Sequence, residues 1–305
     1  MKYFLGVDGG QSGTTAVIGD ETGRILGTGE GGPCNHAAAA EGRAKLERAI
    51  RGSVGAACAS ASLDLASTTF EAACFGLSGG PEDRLEILSS IVKSVRPLIV
   101  TIDAVVALSG ATPKGQGIIV IAGTGSISFG RNAGGQSARA GGWGYVFGDE
   151  GGAFDIARQA LRASLRMEEG WGPQTRLREI LMDATGSRDA NEMLHRFYGP
   201  EWPRSRVATL APLVDGASAE GDAVAEQIMH NAAQELAVLG ANIRSQLWKS
   251  ADSVHVVYIG GVFQSATLLE RFRMLVELDG VTRCGPPLRG PAEGALLEAY
   301  RAAEL

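Results

Sequence analysis

Val7-Asp8-Gly9-Gly10-Gln11-Ser12-Gly13-Thr14 near the start of the chain and Ile121-Ala122-Gly123-Thr124-Gly125-Ser126 near its middle decide the reading of the fold. Each stretch follows an apolar run and leads into residues of strand character. Each therefore reads as a hairpin whose turn aims backbone N–H groups and hydroxyls at one anion. Glycine suits such a turn because it tolerates positive φ and lets a phosphate approach the main chain. One glycine-bearing turn is common and usually does no more than reverse the chain. Two of them in one sequence predict the two jaws of a phosphate clamp.

Working outward from the first turn, strands are predicted at Tyr3 to Asp8, Thr14 to Gly19 and Ile25 to Gly29. A helix follows with Leu46, Ile50 and Val54 at fourfold spacing. Glu71 to Leu77 reads as the next strand. Gly80-Pro81 opens a helix with Leu85, Leu88 and Ile91 on one face, Pro81 suiting a first helical position. Leu98 to Ile102 is a short strand that ends at Asp103.

From the second turn outward, Gly117 to Ala122 and Ser126 to Gly130 repeat the opening strand-turn-strand unit, weakly. Arg131 to Gly142 reads as a third hairpin or a loop. Ala153 to Leu165 is a predicted helix with Phe154, Ala157, Leu161 and Leu165 on one stripe. Trp171 to Pro212 mixes helical pieces with Gly and Pro breaks and carries no motif. A long helix is predicted from Asp222 to about Lys249, then a strand at His255 to Ile259, the pair Gly260-Gly261, and a terminal helix from Pro291 to Ala302. The expected domains are 1–112, completed by the helix 291–305, and 113–290, with a hinge near Thr112 to Gly115.

The 305 residues, 45% hydrophobic and 20% charged, exceed what one core usually serves. A formal net charge of −6 gives a nucleic acid backbone little to hold. No apolar run is long enough to span a membrane, and no signal peptide is apparent, so a cytoplasmic protein is expected. Cys34, Cys58, Cys74 and Cys284 are scattered without a C-x-x-C pair, which argues against zinc, an iron–sulfur cluster or a disulfide framework. They read as small buried thiols.

The order strand-D-G-G-turn-strand, strand ending in Asp, strand-G-T-G-S-strand, strand-G-G-V-F-helix resembles the sugar kinase, heat-shock-protein and actin superfamily. The run Gly141-Gly142-Trp143-Gly144-Tyr145-Val146-Phe147-Gly148-Asp149-Glu150-Gly151-Gly152 is similar to a segment of N-acetylglucosamine kinases and of the BadF/BadG/BcrA/BcrD ATPase group. The similarity covers nearly the whole chain and is weakest over Glu168 to Ser218. It implies an α/β, two-domain ribonuclease H-like ATPase fold of the actin, hexokinase and Hsp70 type, with mixed sheets flanked by helices and a central cleft that closes on its ligands.

The resemblance also implies roles. Gly10, Gln11, Ser12, Gly13 and Thr14 on one side, and Gly123, Thr124 and Gly125 on the other, would hold the phosphates of ATP. Ser12 and Thr124 are the foremost hydroxyl contacts. Asp8 would bind Mg²⁺, since a carboxylate beside a triphosphate needs a cation between them; its other reading is an Asp that orders the turn. Asp103 matches the catalytic Asp, and it could equally cap the following helix. An aspartate of ordinary pKa, roughly 3.9, acts on an alcohol by orienting it and capturing its proton late in a loose transition state.

Asn35, Ser78, Asp103, Ser126, Gly142, Trp143 and Asp149 match sugar-binding positions, with core packing the alternative for Trp143. Gly260, Gly261 and Ala217 match the walls around adenosine. The implied activity is ATP-dependent phosphorylation of N-acetylglucosamine at its 6-hydroxyl by a homodimer, with glucosamine as the competing acceptor. An ATPase activator that carries an iron–sulfur cluster would need cysteine ligands that are absent from the Gly123 turn and the Gly141 to Gly152 run. A non-catalytic sugar-sensing module would need either a DNA-binding extension or a missing catalytic Asp, and Asp103 is present.

Overall fold

A strand buried on both faces has to be apolar throughout, and Tyr3-Phe4-Leu5-Gly6-Val7 meets that demand. In the computed structural model, which describes residues 1–10, 13–34, 42–77 and 84–305, this segment is the middle strand of its sheet. The chain divides into two compact units, residues 1–117 with 287–305 and residues 118–286.

The first unit contains, in order, β1 (Tyr3–Gly9), β2 (Thr14–Asp20), β3 (Ile25–Gly31), α1 (Gly42–Ser60), β4 (Thr69–Phe70), β5 (Ala72–Leu77), α2 (Leu85–Ile91), β6 (Lys93–Ser94), β7 (Ile99–Thr101) and α3 (Asp103–Ala111). Its main sheet runs β3-β2-β1-β5-β7, with β1, β2 and β3 antiparallel and β5 and β7 parallel to β1. Alternation along β1 splits the core. Leu5 and Val7 join Leu46, Ile50 and Val54 of α1, while Phe4 joins Val106 of α3 and Ala295 and Leu296 of the terminal helix.

In α2 the buried face is Ile87, Leu88 and Ile91, and Leu85, expected on that face, is exposed. The predicted start of this helix at Gly80-Pro81 lies outside the described residues. Asp103 is the first residue of α3 rather than its cap. Ile102 takes the cap position in extended backbone, with no side-chain cap.

The second unit begins with β8 (Gly117–Ala122), β9 (Ser126–Arg131) and β10 (Ser137–Gly141), so Arg131 to Gly142 resolves into a hairpin whose return strand β10 pairs antiparallel with β9. There follow α4 (Ala153–Glu168), α5 (Leu177–Thr185), α6 (Ala190–Tyr198), α7 (Arg204–Ala208), α8 (Ala211–Ala219), α9 (Ala223–Leu247), β11 (His255–Ile259), α10 (Ala266–Val276) and β12 (Arg283–Gly285). The order β10-β9-β8-β11-β12 repeats the arrangement of the first sheet. Asp222 caps α9 by accepting from the N–H groups of Val224 and Ala225. The stretch that carried no motif folds as α5 to α8, and Leu177, Leu181, Met193, Val207 and Val214 bury against Ile156 and Leu161 of α4.

The chain returns to the first unit as α11 (Pro291–Ala302), packed on α3 and β1. Glycine permits the approach. A Cβ on Gly294 would stand 1.9 Å from the Val106 carbonyl oxygen and 2.5 Å from the Gly110 nitrogen, both main-chain atoms of α3. Gly294→Ala should therefore destabilise the protein by about 2–3 kcal/mol, since rigid helices must part to admit the methyl. Gly55→Ala in α1, where a Cβ meets only open space, should instead be neutral or stabilising by about 0.5–1 kcal/mol. Thermal unfolding of the two variants beside the parent checks both signs.

Candidate functional site

β1 ends with Asp8 and Gly9, and β7 gives way to α3 at Asp103, so two carboxylates stand at the same end of the first unit's sheet. Their charges interact. Burial, and then the Asp103 carboxylate, push Asp8 up to a pKa of about 7. One oxygen of Asp103 accepts from the Ala104 N–H at 2.8 Å. Arg84, only 2% exposed, is within electrostatic reach of Asp103 and Cys34; burial lowers its pKa and these two partners oppose that shift. Sequence reasoning passes over Arg84, because a buried arginine beside a carboxylate and a thiol leaves no mark in a periodicity pattern.

In the β1–β2 turn, the Gly10 N–H donates to the Gly13 carbonyl at 2.9 Å. Thr14 belongs to β2, and its hydroxyl turns inward, donating to the Gly32 carbonyl at 2.8 Å with the Cys34 sulfur 2.9 Å away. Of the expected site residues, Gln11, Ser12, Asn35 and Ser78 lie outside the described residues. The four cysteines are free thiols and buried.

In the second unit the turn and the glycine run pack as one body. The Gly123 N–H donates to the Gly125 carbonyl, the Ala153 N–H to Gly123 and the Phe154 N–H to Thr124. The Ser126 hydroxyl donates to the Glu150 carbonyl at 2.6 Å, and the Gly142 N–H donates to the Ser126 carbonyl at 3.0 Å. Thr124 stays exposed. Gly142 has φ +72°, and Gly152 lies so close to Gly125 that a Cβ there would stand 2.7 Å from its Cα.

Asp149 is 6% exposed with φ 64°, a left-handed backbone unusual for aspartate. Its carboxylate accepts from Arg204 of α7 and, at 3.4 Å, from the Ser126 N–H. Trp143 is 68% exposed beneath the Arg139 guanidinium, 4.7 Å from its ring centre, which overturns core packing as its role. The physical reason is local: positive φ at Gly141, Gly142 and Gly144 carries the indole away from the sheet.

A cavity of about 640 Å³ opens beside the turn, lined by Gly123, Thr124, Ser205, Asp215, Gly261 and Ser265 among others. That volume suits a nucleoside. Gly261 is on the wall, while Gly260, at φ +115°, packs under it against the carbonyl of Ala122. Ala217 is 2% exposed and faces the core, so it is not part of the wall. Its helix α8 contributes Ala211, Pro212 and Asp215 instead. Asp215 accepts from the Ser265 hydroxyl at 2.5 Å, and the same oxygen caps α10 by accepting from the Leu268 N–H. Asp215 was missed because nothing in the broken helical pattern around it marks which residue faces inward.

A model of the BadF/BadG/BcrA/BcrD ATPase family matches residues 5–299. The chain belongs to this family. Its relatives include a protein of Clostridium acetobutylicum named N-acetylmuramic acid/N-acetylglucosamine kinase, 33% identical, the match covering 92% of each chain. An N-acetyl-D-glucosamine kinase of Dictyostelium discoideum is 29% identical, with 88% of each chain covered. The crystal structure of a candidate N-acetylglucosamine kinase from Chromobacterium violaceum superposes with a TM-score of 0.77 at 28% identity, covering 97% of this chain and 98% of that one. The BadF/BadG/BcrA/BcrD match spans both sheets and both glycine turns. Among the described residues no helix is long and apolar enough to cross a membrane.

Proposed function

We propose that this protein is a kinase that transfers the terminal phosphoryl group of ATP to the 6-hydroxyl of N-acetyl-D-glucosamine. The observation that carries the reading is the pair of interacting carboxylates Asp8 and Asp103, in a chain 33% identical over 92% of its length to a kinase of N-acetylated hexosamines. The soluble setting is the cytoplasm, the assembly a homodimer, and the functional domains are 1–112 with 291–305 and 113–290.

Asp103 accepts the hydrogen of the attacking hydroxyl, fixes the oxygen on its line of approach and takes the proton late, when the new P–O bond has made the oxygen acidic. Asn35, Ser78, Gly142 and Trp143 orient the pyranose, Trp143 by presenting an exposed indole face. Ser126 supports that surface from beneath through the Glu150 carbonyl, and Asp149 through the Ser126 N–H. The turn amides of Gly10 and Gly13, with Gln11, Ser12 and Thr14, and those of Gly123, Thr124 and Gly125 receive phosphate oxygens. The cavity beside Gly261 receives the nucleoside, and Asp215 is placed to accept from ribose hydroxyls.

The donor set fits Mg²⁺. Two carboxylates whose charges oppose one another, in a triphosphate site, match an ion that uses one or two carboxylates and fills its shell with water and phosphate. Asp8 would hold it, through water, and the ion would neutralise charge on the phosphates. A coupled ADP-release assay over N-acetylglucosamine, N-acetylmuramic acid, glucosamine and glucose tests the reading. Turnover should be greatest with the N-acetylated sugars, and turnover with none of the four would refute it.

A further inference from the structure

The two glycine turns, Val7 to Thr14 and Gly123 to Ser126, contain no Lys or Arg, and the chain is acidic overall. Neither turn therefore supplies a side-chain cation of its own to a nucleotide's phosphates. Arg204, the first residue of α7, reaches the second turn. A Cβ built on Gly125 would lie 2.6 Å from its Nη2 and 2.4 Å from Asp149 Oδ2. The guanidinium is held over two rings, 5.3 Å from the centre of Tyr145 and 5.8 Å from that of Phe154. Its Nη2 donates to Asp149, and its Nε is buried without a hydrogen-bond partner among the described residues.

The order of residues along the cavity gives the direction. Gly123 and Thr124 line it, together with Ser205, the residue after Arg204. Gly125, where Arg204 stands, is the next step past Thr124. A nucleoside seated against Gly261 and Asp215 thus sends its phosphates over Gly123 and Thr124 toward this guanidinium. A planar, permanently charged fork suits phosphate oxygens better than a lysine would. In the structure Asp149 is its hydrogen-bond partner.

Resting on the nucleotide-binding reading given above, we propose that Arg204 contacts the terminal phosphate of a bound nucleoside triphosphate and so lets the protein tell triphosphate from diphosphate. The alternative is that the Arg204–Asp149 pair merely braces the turn. The two differ in which variants matter. A brace fails alike when either partner is neutralised, whereas a phosphate contact fails only when the cation goes.

Calorimetric titration of the whole protein with Mg²⁺ and either ADP or β,γ-imido-ATP separates them. Wild type should bind the triphosphate analogue more tightly than ADP. Arg204→Gln should weaken the analogue by roughly 10- to 100-fold, the range for one charge-assisted hydrogen-bonded contact, and ADP by less than about threefold. Arg204→Lys, which keeps the charge and serves if the Gln variant misfolds, should lose less than half of that effect on a logarithmic scale. Asp149→Asn should not weaken the analogue. Equal losses for both nucleotides, matching losses in Asp149→Asn, or an unchanged preference in Arg204→Gln would overturn the proposal. A wild-type protein that binds neither nucleotide would overturn it together with the kinase reading.

Discussion

Asp103→Asn should lower kcat by roughly two to four orders of magnitude, the contribution usual for a positioned general base. The fold should survive the change. The Asp103 oxygen that accepts from the Ala104 N–H has an amide counterpart in Asn, and α3 keeps its extended cap at Ile102. Losing the negative charge at the first turn of the helix costs about 0.3–1 kcal/mol, and it also removes the charge that faces the Arg84 guanidinium and the Asp8 carboxyl. Nucleotide affinity should change little, because the amide still fills the site and removes no phosphate ligand. Steady-state kinetics beside a thermal melt separate the two effects. A variant that turns over sugar at the parent rate would end the assignment of Asp103, and one that melts far below the parent would show that the carboxylate holds the unit together.

Neutralising Asp8 should have opposite consequences for stability and for activity. With its pKa raised to about 7, this carboxyl keeps its proton in the folded protein over a range where the unfolded chain has released it. Its stabilising contribution is therefore complete below about pH 4, the unfolded value, and is lost as pH rises to about 7. With no divalent cation present, the parent should lose on the order of 2–4 kcal/mol from this group between those limits. Asp8→Asn cannot ionise and should lack that slope, so above neutrality it should be the more stable protein. Urea unfolding at pH 5 and pH 8 measures the difference. In the assay the same variant should be nearly inactive, and adding Mg²⁺ to its nucleotide complex should raise its stability less than it raises the parent's. Equal midpoints for both proteins at both pH values would mean that the carboxylate is well solvated in the fold.

Much of this architecture could be read from residue patterns, because the features that set it are local. The strands at Tyr3, Gly117 and His255 follow from short apolar runs bounded by turn residues, and the terminal helix from Pro291 to Ala302 falls where Pro and the apolar spacing place it. Asp8 and Asp103 are legible because each stands near the carboxyl end of a strand, Asp8 one residue before the end of β1 and Asp103 two residues past β7. The less legible residues act across distance. Arg204 meets Asp149 from fifty-five positions away, inside a stretch where Gly and Pro interrupt any helical period. Arg84 is buried in spite of its charge, which composition argues against, and Asp103 and Cys34 are among the groups that offset that charge. On α8 the inward face could not be told from the outward one, so Ala217 was chosen where Asp215 meets the cavity. Thr14 is expected among the phosphate contacts, and the pairing of β2 with β3 directs its hydroxyl to the Gly32 carbonyl.

The return of the chain as α11 sets an order of events during synthesis. Ala292, Ala295, Leu296 and Ala299 supply part of the core that Phe4, Val17 and Cys74 begin. The second unit has all of its residues by position 286, while the first waits for residues 287–305. On the ribosome, the later-made half can therefore close its core first, and the half translated earliest keeps part of one side of its sheet, around Phe4 and Val17, uncovered until residues 287–305 are made. Shortening the chain from its carboxyl end should therefore injure the residues made first.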